Sequence, residues 1–111
     1  MDSVQIPFLS ATDLAKLIKN RDISPVEATQ SYLERIGQLD GKLNSYITVC
    51  HDEALATARR AESEIASGDY KGPMHGIPVA VKDQFYTKGI RSTGGSIILK
   101  ELVPDEDPTI I

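Results

Sequence analysis

A chain of 111 residues has room for one small domain, and with no Trp, two Phe and four Tyr its core must be built from aliphatics and alanine. Twelve basic against sixteen acidic side chains leave a net charge of −4, which argues against a module held to nucleic acid by phosphate contacts. A single cysteine, Cys50, excludes an internal disulfide and any multi-cysteine metal site, and no apolar stretch reaches the roughly 20 residues of a membrane span.

The opening Met1-Asp2-Ser3-Val4 lacks a basic region followed by an apolar one, so no signal peptide is read and cytoplasmic residence is the expectation. Ser10 or Thr12 caps a first helix over about 12–20, with Leu14, Leu17 and Ile18 at helical spacing. A stronger start follows: Ser24 as N-cap, Pro25 at the first helical position and Glu27 three residues after the cap. Val26, Thr29, Leu33 and Ile36 form one stripe, and the Gly37–Gly41 region ends this second helix, giving 25–37. The run Leu43 to Cys50 alternates Tyr46, Thr48 and Cys50 against Ile47 and Val49, which predicts a strand over about 44–50. Asp52 caps a third helix, 52–67, whose packing face is Ala54, Ala58, Ala61 and Ile65.

Five of the eight glycines then fall between positions 72 and 96, where the chain reads as loop, strand, loop. The strand is 77–82: Ile77, Val79 and Val81 share one face, and Pro78, Ala80 and Lys82 the other. A lysine there is either snorkelling from a strand end or a tuned base, because burying a lone charge costs on the order of several kcal/mol. Asp83 orients the loop after the strand or pairs with a basic group elsewhere. Ser96 to Leu102 is a short helix or another strand. Asp107 and Pro108 open a helix that has no length left to form, so the chain is expected to be a fragment.

The segments "SATDLAKLIKNRDISPVEATQSYLERIGQLDGKLNSYITV" and "GPMHGIPVAVKDQFYTKGIRSTGGSIILKELVPDEDPTII" together resemble the N-terminal part of the amidase signature family, across nearly all of Ser10 to Ile111. "GPMHGIPVAVKD" is the most specific piece and looks like that family's lysine-bearing strand. "TKGIRST" and "VPDEDPTII" are similar to the A subunit of the tRNA-dependent amidotransferase. The resemblance implies an α/β fold, with helices flanking a mixed sheet that is incomplete in this chain. It also implies a Ser, cis-Ser, Lys triad in which Lys82 is the catalytic lysine. In that mechanism a neutral amine accepts a proton relayed through the cis-serine, and the nucleophilic serine attacks an amide carbonyl. Both serines lie downstream in the family, so the chain carries only Lys82 and is expected to be inactive and poorly folded alone.

Other residues read more plainly. Ser96, although preceded by Gly94-Gly95, corresponds to a turn rather than to the nucleophile. His75 reads as a structural, hydrogen-bonded residue, His51 as flanking the third helix, and Cys50 as a small buried hydrophobe. Asp105-Glu106-Asp107 lacks the alternating spacing of a calcium loop. No cofactor or metal is expected. The partners implied are a small-molecule amide substrate for the full-length form, and copies of the chain or amidotransferase subunits, with no direct nucleic-acid or membrane contact. The rival from another class is a non-catalytic interaction module, a truncated paralogue docking on a full-length partner.

Overall fold

The structure is a computed structural model that describes residues 2–109 and 111. A 3₁₀ turn at Ile6–Phe8 precedes three helices, α1 (Ala11–Lys19), α2 (Pro25–Leu43) and α3 (His51–Ala66). The chain divides into two compact units, one of residues 1–45 with 51–78 and the other of 46–50 with 79–111.

In the first unit the helix starts follow local chemistry. Ser10, not Thr12, caps α1: its hydroxyl accepts the Asp13 amide at 3.1 Å. Ser24 accepts the Glu27 amide at 3.0 Å, and Pro25 occupies the first helical position, where its missing N–H has no intrahelical partner to lose. α2 runs six residues past the expected end at Gly37. A helical glycine costs only about 1 kcal/mol against alanine and is not a stop. The stop is Asn44, which turns left-handed at φ 52° while its amide donates to the Asp40 carbonyl at 2.7 Å. α3 already includes Asp52 in its first turn, so Asp52 does not stand before the helix as a cap.

The core of this unit gathers Ile6, Leu14, Ile18, Ile23, Ala28 and Ile65, with Tyr32, Tyr70 and Ile77 packed against them. α3 buries Ala58, Ala61 and Ile65, the small side chains allowing a close approach to α2. On α2 the buried positions are Pro25, Ala28, Thr29 and Ser31, so the packing face is rotated from the Val26–Ile36 stripe. Gly76 marks a close backbone approach. A Cβ there would lie 2.8 Å from Pro25 Cγ, and the glycine holds φ +86°.

The expected mixed sheet is not formed among the described residues. The segments 44–50 and 77–82 are not in strand pairing, and among the described residues the one β-type contact is an isolated antiparallel bridge between Thr87 and Ile90. The physical reason is that β-branched residues favour a strand only where a neighbouring backbone and a covered pleated face receive them. Here Ile47, Val49, Val79 and Val81 stay exposed.

The second unit is held by backbone bonds between its loops. Ser92 N–H donates to the Leu102 carbonyl at 2.9 Å, and Gly89 N–H to the Pro104 carbonyl at 3.1 Å. Ser96 to Leu102 forms neither helix nor strand but successive turns, with Leu99 N–H on the Ser96 carbonyl at 3.2 Å and Leu102 N–H on the Leu99 carbonyl at 2.9 Å. Asp107 does not cap a following helix: its carboxylate accepts the Lys88 amide at 2.6 Å. Ile110, part of that expected helix, lies outside the described residues, as does Met1.

Candidate functional site

Lys82 lies in the second unit at the entrance to a tight turn. Its carbonyl accepts the Phe85 N–H at 3.0 Å, and its side chain is exposed. Val79 and Val81 are also open, at 62% and 44%, so neither face of 79–82 is covered by the described residues. The covered strand that would desolvate this lysine is not supplied by the described chain.

What the chain does supply is an anchor one residue later. Asp83 Oδ1 accepts the Thr93 amide at 2.8 Å, Oδ2 accepts the Thr93 hydroxyl, and Gly95 N–H also reaches Oδ2 at 3.3 Å. The main chain repeats the pairing, with Gly94 N–H on the Asp83 carbonyl at 2.9 Å. Gly94 and Gly95 take φ of 59° and 74°. With both glycines left-handed the chain folds back so that the Thr93 and Gly95 amides meet the Asp83 carboxylate, while the Gly94 amide between them meets the Asp83 carbonyl. Hydrogen bonding by the Thr93 hydroxyl, with the Thr93 and Gly95 amides and the Arg91 charge, holds the Asp83 carboxyl below its ordinary value against a smaller opposing effect of burial.

The turn is buried at its root. Ser92 and Thr93 are only 2% and 3% exposed. Ser92 Oγ accepts the Thr87 amide at 3.2 Å and donates to the Ile90 carbonyl at 2.9 Å, so both of its roles are filled. Ser96 has a turn's geometry: its amide donates to the Thr93 carbonyl at 3.0 Å and its hydroxyl accepts the Ile98 amide at 3.2 Å. Arg91 reaches from this unit's loop to the Lys100 carbonyl and, at 3.3 Å, to Thr48 Oγ1.

The first unit holds a separate charged cluster around Glu64. Its Oε2 accepts from His75 Nε2 at 2.8 Å and from Lys71 Nζ at 3.1 Å. His75 Nδ1 accepts the Lys71 amide at 3.1 Å, which fits the tautomer protonated at Nε2. Bonding from Lys71, foremost, and from His75 lowers the Glu64 carboxyl from its ordinary value, opposed by partial burial. His75 is thereby a structural clasp closing the loop after α3, with its side chain only 8% exposed. His51 lies at the start of α3 beside Asp52 at 3.8 Å, and Cys50 is half-buried.

The sequence points to Lys82 and Asp83 but not to Thr93 as the partner. A Thr directly before a Gly pair is a turn signal, and nothing local ties it to a carboxylate ten positions upstream. Glu64 gives no signal either, since a helical glutamate reads as a solvated surface residue. No group of three or more His, Cys, Asp or Glu side chains is placed to hold a metal ion among the described residues. No helix among them is long and apolar enough to cross a membrane.

Comparison with known proteins gives a family-model match, described as Amidase, over residues 27–111. Among similar proteins is the A subunit of the glutamyl-tRNA(Gln) amidotransferase of Cutibacterium acnes, 44% identical over 103 residues, which are 93% of this chain and 21% of that protein. The A subunit of the same name from Geobacter metallireducens is 48% identical over the same shares. A Mycobacterium bovis protein named as an amidase, AmiD, is 40% identical over all 111 residues, 23% of its length. The chain thus spans about a fifth of the length of the curated relatives it matches.

Proposed function

The chain belongs to the Amidase family, and from that premise we propose that it contributes the lysine of an amide-hydrolysing site in a full-length enzyme. Lys82 is the proton acceptor. The observation that carries this reading is the placement of Lys82 directly before a residue gripped by four hydrogen bonds, at the end of the stretch Gly72–Asp83 that looks like the family's lysine strand. A flexible lysine stem delivers its amine reproducibly only if the backbone it leaves from is fixed.

The chemistry is acyl transfer. A hydroxyl nucleophile attacks the carboxamide carbon, and its proton passes through a second hydroxyl to the neutral Lys82 amine. The same proton then goes to the departing nitrogen, which leaves as ammonia or an amine. The two hydroxyls belong to serines outside this segment, and the cover that keeps the amine neutral comes from the same remaining length. The reaction needs no cofactor, and the site lies in the cytoplasm.

The amidotransferase relatives favour one branch within this reading. A protein 44–48% identical to the A subunit of an amidotransferase is a candidate to release ammonia from glutamine and to work beside other subunits. The full-length protein is incubated with simple carboxamides and with glutamine, and ammonia is measured. Release from either supports amide hydrolysis and identifies the branch; no release from any carboxamide contradicts the proposal.

A further inference from the structure

Lys82 leaves the chain on an exposed stem, and four methylenes give it wide reach but no fixed direction. The order near it resides in Asp83. That residue's carbonyl is bound by Gly94 N–H at 2.9 Å, and its carboxylate by the Thr93 amide at 2.8 Å, the Thr93 hydroxyl and Gly95 N–H at 3.3 Å. Thr93 Oγ1 serves twice, since it also accepts the Gly95 amide at 3.1 Å. The backbone is therefore pinned immediately after the lysine by a turn whose root is almost wholly buried.

We infer that Asp83, through Thr93 and Gly95, is a positioning residue for Lys82: the clasp sets the point and direction from which the amine enters the reaction. The inference rests on the assignment of Lys82 as proton acceptor. It deepens that assignment by naming what aims the lysine. Asp83 touches no reacting atom. Its contribution passes through one peptide bond, and a misplacement on the order of 1 Å in a proton acceptor is enough to lower turnover roughly a hundredfold.

The chemistry of the clasp dictates the residue. A carboxylate accepts from every donor around it, whereas the NH2 of an Asp83→Asn side chain would face a second donor in either orientation, the Thr93 amide in place of Oδ1 or the Gly95 amide and Thr93 hydroxyl in place of Oδ2. Thr93→Val removes the hydroxyl that both donates to Asp83 and accepts from Gly95. Thr93→Ser keeps it.

The test uses the full-length enzyme, with kcat and KM for a carboxamide it turns over, each rate expressed per folded molecule measured by circular dichroism. Asp83→Asn and Thr93→Val are expected to lower kcat roughly tenfold or more while KM stays within about twofold, as for a loss confined to the transition state. Thr93→Ser is expected to stay within about threefold of the parent. If Asp83→Asn does not fold, the Thr93→Val and Thr93→Ser pair decides. Parental kcat in Asp83→Asn or in Thr93→Val overturns the positioning role, as does a loss in Thr93→Ser equal to that in Thr93→Val. Lys82→Ala run alongside separates the two claims. If it is inactive while Asp83→Asn is parental, positioning alone falls; if Lys82→Ala itself turns over normally, the base assignment falls first.

Discussion

Asp83 and Thr93, ten residues apart, are joined twice: the Thr93 amide meets Asp83 Oδ1 at 2.8 Å and its hydroxyl meets Oδ2. This pairing fixes the loop that follows Lys82, and it makes the loop sensitive to acid.

The sign of that sensitivity follows from the charged form being the bonded one. In the folded loop the Asp83 carboxyl is held below its ordinary value of 3.8, by the Thr93 hydroxyl before any other cause. A depressed carboxyl adds stability that is fully present above the unfolded value and is lost as pH falls through the folded one. The Thr93 and Gly95 amide resonances are therefore expected to move with a midpoint below 3.8. A midpoint at or above 3.8 would mean that the carboxylate is not the acceptor in solution.

Two glycines of the first unit should answer oppositely to alanine. At Gly76 the new Cβ meets Pro25 Cγ at 2.8 Å and the backbone sits at φ +86°, so Gly76→Ala is expected to destabilise by about 1–3 kcal/mol. Gly41 lies inside α2 with nothing within 4 Å, so Gly41→Ala is expected to stabilise by about 0.5–1 kcal/mol. Urea unfolding of the full-length protein, followed by circular dichroism, measures both. Equal effects of one sign would contradict the geometry of the Gly76 turn.

The start of α2 depends on one hydroxyl. Ser24→Ala removes the acceptor of the Glu27 amide, which is 3.0 Å away, and should cost about 1 kcal/mol. Ser24→Asp keeps an acceptor and should stay within about 0.5 kcal/mol of the parent in the same urea experiment.

How much of this is legible in the sequence depends on whether the determinant is local. Ser24-Pro25 announces the start of α2 because capping and a fixed proline φ act within three residues. The alanine face of α3 is legible for the same reason, since Ala58, Ala61 and Ile65 share one side at helical spacing. The end of α2 is not, because Gly37 weakens a helix without ending it, and the true stop is the left-handed Asn44.

The strands fail for a different reason. Residues 44–50 and 77–82 have strand composition, but a strand is a relation to a neighbouring strand, and none lies alongside them among the described residues. At the candidate site, Lys82 stands out by its setting and Asp83 by adjacency. Thr93 is illegible because a pairing ten residues apart depends on how the Gly94-Gly95 turn folds back. The buried Ile6, in a 3₁₀ turn before the first expected helix, carries no periodic signal at all.

The central claim is that Lys82 accepts the proton that activates the nucleophile. Its most direct test is the turnover of a carboxamide by the full-length enzyme carrying Lys82→Ala, with folding checked by circular dichroism. Members of a catalytic unit fail together, so the expected result is a folded protein whose kcat has fallen on the order of a thousandfold or more. A folded Lys82→Ala enzyme that retains kcat within about tenfold of the parent would contradict the account.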